Sequence, residues 1–140
     1  IPGIPGVSDN ITVRSIVGRF LEHSRIFWFR NGGREELYVS SADWMPRNLN
    51  DRVELMVPIE DPEIKRRLKQ MVDIELSDNQ KAHIMQADGT WLKTISAENQ
   101  LCAQEYFQKI AEKRDAEDEM TLAQKLEPYT PVLGHGDGSD

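Results

Sequence analysis

Residues 25–41 read RIFWFRNGGREELYVSS, and this stretch decides the fold of the first half of the chain. Two apolar segments rich in aromatic and β-branched residues flank Asn31-Gly32-Gly33, a pattern typical of a turn between antiparallel strands. A hairpin brings its first and last residues together at one end of the sheet. The sequence therefore predicts that the residues before Ile26 and those after Val39 lie side by side.

The residues at that end of the hairpin have the chemistry of a phosphate site. His23, Ser24 and Arg25 precede the first strand, and Ser40 and Ser41 follow the second. An imidazole, a guanidinium and hydroxyl groups can all donate hydrogen bonds to phosphate oxygens. His23 is the candidate catalytic residue. The residues alone leave one alternative open, a histidine at a helix C-terminus that interacts with the helix dipole.

Length and composition indicate one soluble domain. The 140 residues are 39% hydrophobic and 29% charged, which fits a globular domain with a moderate core. No apolar run approaches the roughly 18 residues that a membrane span needs, and no signal segment opens the chain. Cys102 is the only cysteine, which excludes an internal disulfide and fits a reducing cytoplasm.

The net charge of −7 is unevenly distributed. Between positions 11 and 55 every basic residue is an arginine, namely Arg14, Arg19, Arg25, Arg30, Arg34, Arg47 and Arg52. Arginine binds phosphate oxygens two at a time, whereas lysine acts as a point charge. The set therefore favours phosphate binding. Any single arginine can instead pair with a neighbouring carboxylate, such as that of Glu22, Glu35, Glu36 or Asp51.

Other kinds of site are not indicated. One cysteine and three scattered histidines give no metal-ligand spacing, so no metal site is predicted within the chain. There is no Gly-x-Gly-x-x-Gly or Walker sequence. We interpret His83 as structural and His135 as a solvated residue of the C-terminal tail.

Periodicity and turn-forming residues predict the remaining elements. In chain order we expect a helix over 11–22, a strand over 51–58, a helix opening at Asp61-Pro62-Glu63, a short strand over 81–86 and a long helix from Ser96. Residues 128–140 are predicted to be disordered, because they have little apolar surface to bury.

Four segments resemble the last catalytic domain of the polyphosphate kinases, bacterial enzymes that reversibly transfer the γ-phosphate of ATP to a polyphosphate chain. They are residues 2–11 (PGIPGVSDNI), 16–26 (IVGRFLEHSRI), 31–33 (NGG) and 40–49 (SSADWMPRNL). The resemblance extends to about Asp78 and is most specific in FLEHSR and SSADWM. Because the sequence begins without a methionine, we expect a C-terminal fragment of a longer chain, with its domain over 1–127.

The resemblance implies an α/β fold like that of phospholipase D, a mixed β-sheet with flanking helices. In the phospholipase pattern, His-x-Lys is followed five residues later by an aspartate. Here His23-Ser24-Arg25 has arginine at the lysine position, and Arg30 stands where the aspartate would be. Ser40-Ser41-Ala42-Asp43 resembles the closing turn of that pattern. The departure at Arg30 argues against phosphodiester hydrolysis and for a site suited to highly charged phosphate.

The resemblance also implies roles for residues and ligands. His23 corresponds to the second histidine of the family, which contacts the nucleotide phosphates and assists transfer. The histidine that becomes phosphorylated and the magnesium-binding residues are expected in the preceding domain, outside this chain, so the isolated chain is expected to be inactive. ATP or ADP is the expected substrate. The expected substrate-binding residues are His23, Arg25, Ser41, Arg47 and Arg52.

The expected partners are polyphosphate, nucleotide, the preceding domains of the same chain and further copies in a homo-oligomer; nucleic acid is not expected. A cytoplasmic location is expected, with peripheral association with the inner membrane left open. Two other interpretations remain. One is a non-catalytic anion-binding or oligomerisation module of the same fold. The other is a phosphodiesterase of the phospholipase D type, which would need a dimer to supply two histidines.

Overall fold

The structure, a computed structural model, describes the backbone of residues 1–125 and the side chains of residues 1–115. In this part the elements are β1 (Arg14–Ile16), β2 (Ile26–Phe29), β3 (Glu36–Ser40), α1 (Pro46–Asp51), β4 (Met56–Pro58), α2 (Pro62–Ser77), β5 (Ala82–Met85), β6 (Trp91–Lys93) and α3 (Ala103–Lys125). The chain divides into a first unit, Ile1–Tyr106, and a second that begins at Phe107. The tail predicted to be disordered, 128–140, lies outside the described residues.

The predicted hairpin is confirmed. β2 and β3 pair antiparallel, with Ile26 opposite Val39. A short 3-10 turn over Asn31–Gly33 joins them, in which Asn31 (φ 37°) and Gly32 (φ 63°) have left-handed backbone. Asparagine and glycine adopt this conformation at the lowest cost. β4 pairs with the other edge of β3, so that β2, β3 and β4 form one antiparallel sheet.

A second antiparallel sheet consists of β1, β5 and β6, with β5 in the middle. The α/β class is confirmed, and the strand predicted over 81–86 is present as β5. One mixed sheet was expected, however, whereas the described strands form two antiparallel sheets of three strands each.

The prediction of a helix over 11–22 is wrong, because this segment contains β1 and an irregular loop. Its β-branched residues fit a helical repeat, but they favour strands as well. β5 supplies the backbone partners: Met85 N donates to Val13 O at 3.0 Å, and Val17 N donates to Lys81 O at 3.2 Å. Pairing with a strand distant in sequence therefore overrides the local pattern.

The strand predicted over 51–58 is shorter than expected. Only Met56–Pro58 pairs with β3, and the unpredicted helix α1 occupies Pro46–Asp51. Pro46 takes the first helical position, where the missing N–H has no intrahelical partner to lose.

Helix α2 begins where it was predicted. Asp61 is its N-cap, since Oδ1 accepts hydrogen bonds from the N–H groups of Glu63 and Ile64, both at 2.9 Å. Lys69 Nζ lies 4.6 Å from the ring centroid of Trp28, which connects α2 to the hairpin. No helix in the described part of the chain is long and apolar enough to cross a bilayer.

Helix α3 begins at Ala103 rather than at the predicted Ser96, because its cap is remote in sequence. Ala103 N donates to Asp78 Oδ2 at 2.8 Å. The other oxygen of this fully buried carboxylate accepts from three successive N–H groups, those of Gln80, Lys81 and Ala82, at 3.0, 2.7 and 3.1 Å. Asp78 therefore joins the end of α2, the start of β5 and the start of α3.

A half-buried carboxyl group, that of Glu75, lies in the last turn of α2. Glu75 hydrogen bonds to Glu22, which belongs to the loop between β1 and β2. Burial, the charge of Glu22 and this hydrogen bond together raise the pKa of Glu75 to about 7. The folded chain therefore holds this proton more tightly than the unfolded chain, where the pKa is about 4.3.

Replacing Asp78 by alanine should destabilise the fold by about 3–5 kcal/mol, because four N–H groups lose their acceptor. Burial alone would raise the pKa of this carboxyl, but the four donors lower it below its ordinary value. The stabilisation should therefore be complete above about pH 4 and be lost as the pH falls through the folded-state pKa. Denaturant unfolding at pH 7 and at pH 3 measures both effects. Asp73→Ala, an exposed carboxylate of α2, is the control, and an Asp78→Ala chain as stable as wild type at pH 7 would contradict the assignment.

Replacing Glu75 by glutamine should remove a pH dependence of stability. With a folded pKa of about 7, Glu75 imposes no cost below about pH 4.3, where both states are protonated. Its cost grows as the pH rises from the unfolded pKa to the folded pKa and levels off above it, so the wild-type unfolding free energy should fall between about pH 4.3 and about pH 7. Glu75→Gln should flatten this fall. Glu63→Gln is the control. The hydrogen bond from Arg66 lowers the pKa of the Glu63 carboxyl, so this variant should change the unfolding free energy only in its acidic pH dependence. An unchanged fall in Glu75→Gln would show that Glu75 is not its source.

Candidate functional site

The two ends of the hairpin meet as the sequence predicts. Ser40 N donates to Arg25 O at 2.9 Å, which places the residues before β2 beside those after β3. His23 lies two residues before Arg25 and is exposed, and Arg25 N donates to His23 O at 3.0 Å. The imidazole is therefore accessible at the end of the sheet where the predicted phosphate-binding groups lie.

Arg25 is paired with a carboxylate. Its Nε donates to Asp43 Oδ1 at 2.5 Å, with the side chains 25% and 31% exposed. This hydrogen bond raises the pKa of Arg25 and lowers that of Asp43. The charge of Arg25 lowers the pKa of Asp43 further, and His23 and Arg47 make smaller contributions in the same direction. Asp43 therefore lies among three of the predicted site residues and holds one of them in place.

Ser41 belongs to a second hydrogen-bond network. Its hydroxyl donates to Glu54 Oε2 and accepts from Leu55 N at 3.0 Å. Glu54 Oε1 accepts from the side-chain amide of the buried Asn48 at 2.8 Å. These bonds, from Ser41 and then Asn48, lower the pKa of Glu54, and the charges of Arg52 and Arg25 lower it further. The hydroxyl proton of Ser41 is used by Glu54, so only a lone pair of this oxygen remains for a ligand.

Arg47 and Arg52 are the freer arginines of the predicted set. Both are exposed, and neither makes a hydrogen bond or ion pair with another residue in the described part of the chain. Arg47 lies near Asp43, and Arg52 lies near Glu54. Their guanidinium groups therefore lie near carboxylates of the site, and their donors stay available to an anion.

Glu54 and Asn48 were not predicted as site residues from the sequence. Glu54 stands between Val53 and Leu55. In the strand predicted there, such an alternation indicates a glutamate that faces solvent and has no role in a site. The buried side chain of Asn48 uses only its nitrogen, which donates to Glu54. Its Oδ1 is buried without a hydrogen-bond partner among the described residues. The hydrogen bond from Asn48 fixes the carboxylate of Glu54, and Glu54 in turn fixes the hydroxyl of Ser41.

A cavity of about 340 Å³ opens at this end of the sheet. It is lined by Ser24, Arg25, Ile26, Phe27, Ala42, Asp43 and Trp44. Trp44 is 79% exposed and stacks on Phe27, with ring centroids 6.1 Å apart and an interplanar angle of 29°. The cavity thus combines a guanidinium, a carboxylate and a flat aromatic surface.

The other histidines lie elsewhere or outside the described residues. His83 is in the middle of β5, with Nδ1 3.1 Å from Lys81 O, and its structural role stays a prediction. His135 lies outside the described residues. Within the described part, no group of three histidine, cysteine or acidic side chains comes close enough to hold a metal ion.

The matching family model and the most similar relatives describe the same family. Residues 1–104 match the family model described as polyphosphate kinase C-terminal domain 2. The polyphosphate kinase of Pseudomonas aeruginosa is 56% identical over 99 residues, which are 71% of this chain and 14% of that protein. The polyphosphate kinase of Synechocystis sp. is 50% identical over 115 residues, 79% of this chain and 16% of that protein. The chain therefore spans a small part of the relatives that it matches.

A solved structure shows the same fold. The crystal structure of polyphosphate kinase from Porphyromonas gingivalis matches with a TM-score of 0.73 and 36% identity, over 84% of this chain and 18% of that one. The family expected from FLEHSR and SSADWM is confirmed, since both segments lie inside the matched residues. This chain belongs to the polyphosphate kinase family, in which it corresponds to C-terminal domain 2.

Proposed function

We propose that this chain contributes the second histidine of a polyphosphate kinase that reversibly transfers the γ-phosphate of ATP to polyphosphate. In this proposal His23 acts on the phosphates of the nucleotide, and the transferred group is carried by a phosphohistidine outside this chain. The main support is the clustering of His23, Arg25 and Arg47 around Asp43. The matched relatives are themselves named polyphosphate kinases.

The chemistry proposed for His23 is acid–base assistance. When the bond between the γ-phosphorus and its bridging oxygen breaks, that oxygen gains negative charge as ADP leaves. An imidazolium close to it can donate a hydrogen bond or a proton, and in the reverse direction it can take the proton back. Phosphoryl transfer depends mainly on positioning and charge stabilisation, so one histidine beside arginines suffices for this part of the site.

The arginines are proposed to bind the phosphate oxygens of the substrates. Arg25 is oriented by Asp43 through Nε, and its terminal nitrogens have no hydrogen-bond partner in the described part of the chain. Arg47 and Arg52 present complete guanidinium groups, which can bind phosphate oxygens in pairs. Ser41 holds Glu54 and can accept, but not donate, a further hydrogen bond.

The remaining groups of the active site would come from outside this chain. Mg²⁺ would be bound by residues outside this chain, the preceding domains would complete the active site, and the protein would act in the cytoplasm as a homo-oligomer. The alternative is a non-catalytic anion-binding or oligomerisation module of the same fold. It is favoured by one observation, that carboxylates already occupy Arg25 and Ser41.

Replacing His23 by alanine in the full-length enzyme should lower kcat roughly 10²–10⁴-fold, the usual contribution of a general acid or base. Because His23 is exposed, the melting temperature should stay near that of wild type. His23→Gln is the sharper variant, since the amide keeps a donor but carries no transferable proton; full activity in it would reduce His23 to phosphate binding. His83→Ala, on β5, is the control and should turn over normally. Polyphosphate synthesis from labelled ATP measures kcat, and full activity in both His23 variants would remove the assignment and favour the non-catalytic alternative.

Replacing Arg47 or Arg52 by alanine should raise the KM for ATP or for polyphosphate about 10-fold, or about 1.4 kcal/mol. Lysine should restore part of the loss, because it returns the charge without the paired donors. The difference from wild type should shrink as salt is added, since these side chains are exposed. Arg34→Ala is a matched control, because Arg34 is 83% exposed and lies beside the hairpin turn at the opposite end of the sheet. Unchanged KM values for both substrates in both variants would exclude these arginines from the site.

A further inference from the structure

The loop that carries His23 has little structure of its own. Residues 17–25, here called the His23 loop, contain neither helix nor strand. Their large apolar side chains face outward, with Phe20 49% and Leu21 85% exposed. Burial of the loop's own apolar side chains therefore cannot fix its position. Its two ends are held by Val17 N, which donates to Lys81 O at 3.2 Å, and by the pairing of Arg25 with Asp43, while the residues between them are held from α2 and α3.

One side chain of α3 makes three hydrogen bonds to this loop. Gln104 is 8% exposed. Its Nε2 donates to Phe20 O at 2.8 Å, and its Oε1 accepts from Phe20 N at 3.1 Å. The same nitrogen donates to Glu22 Oε1 at 2.7 Å. The amide thus pairs with the backbone of Phe20 as a neighbouring strand would, and it also fixes the residue next to His23.

Gly18 makes room for this amide. A Cβ atom at Gly18 would overlap the side-chain amide of Gln104. The backbone of Gly18 is not left-handed, so what the glycine supplies here is space for the amide, which a larger residue would displace.

Gln104 is itself held firmly. It follows Ala103, whose N–H donates to the buried Asp78 at 2.8 Å. Asp78 and Ala103 are both fully buried. The hydrogen bonds of Gln104 therefore start from one of the best-fixed points of the first unit.

We propose that Gln104 is a positioning residue, whose three hydrogen bonds to the His23 loop set the place of the imidazole for phosphoryl transfer. This inference rests on the function proposed for His23. Only a primary amide provides both the two donors and the acceptor that the loop uses. A glutamate here would lose the donors and place its charge beside Glu22. Because Glu75 also hydrogen bonds to Glu22, loss of Gln104 should loosen the loop without releasing it.

The test is Gln104→Met in the full-length enzyme, a change that keeps the length of the side chain and removes its hydrogen bonds. Misplacing a reacting group by about 1 Å can cost up to about 100-fold in rate, so kcat should fall 10- to 100-fold while the KM for ATP stays nearly constant. Gln108→Met is the matched control. Gln108 lies one turn further along α3 and donates to Glu112 within the helix, and kcat should not change in its variant.

A double-mutant cycle separates positioning from a general loss of structure. If Gln104 acts through His23, Gln104→Met should cause no further fall in kcat when His23 is already alanine. A fall of the same size in both backgrounds would overturn the inference, and so would a fully active Gln104→Met enzyme. The function proposed for His23 would survive either result, since it is tested separately by His23→Ala and His23→Gln.

Gly18→Ala provides a second variant should Gln104→Met fold poorly. The added methyl group at position 18 should displace the side-chain amide of Gln104, while Gln104 itself stays in the protein. The same fall in kcat, and the same absence of a further fall in the His23→Ala background, are expected. Normal turnover in Gly18→Ala would count against the inference.

Discussion

The buried carboxylate of Asp78 is the interaction on which the first unit depends. A charged group away from water is stable only when donors surround it. Four backbone N–H groups meet this need, and they come from the turn after α2, the start of β5 and the start of α3. The position of each of these elements therefore follows from the position of one side chain. Because Gln104 comes directly after Ala103, the same carboxylate indirectly sets the loop that carries His23.

Elements whose signals are local could be predicted from the sequence. The hairpin depends on Asn31-Gly32-Gly33, and α2 depends on Asp61 and Pro62, all of them within a few residues of the structure they start. The helix expected over 11–22 and the early start expected for α3 failed for one shared reason. Their true partners, β5 and Asp78, are distant in the sequence, and a local pattern carries no information about them.

The same division holds at the candidate site. His23, Arg25 and Ser41 could be named from motif and topology, because the hairpin brings them to one end of the sheet. Their hydrogen-bond partners could not be named with the same ease. Arg25 is bound by Asp43, which was not among the carboxylates considered as arginine partners, and Ser41 is held by Glu54. Glu54 is fixed in turn by a buried amide on a helix that the sequence did not predict, and no spacing rule connects these residues.

The exposed strand β4 has a consequence for how the sheet can pair with other extended segments. It is an edge strand in the described part of the chain, and Met56 and Val57 are 46% and 39% exposed. Edge strands with apolar side chains offer unpaired backbone groups to any extended segment nearby. Pro58 withholds one donor, which limits such pairing without preventing it. An extended segment that adds to this sheet at β4 would therefore pair beside Met56 and Val57.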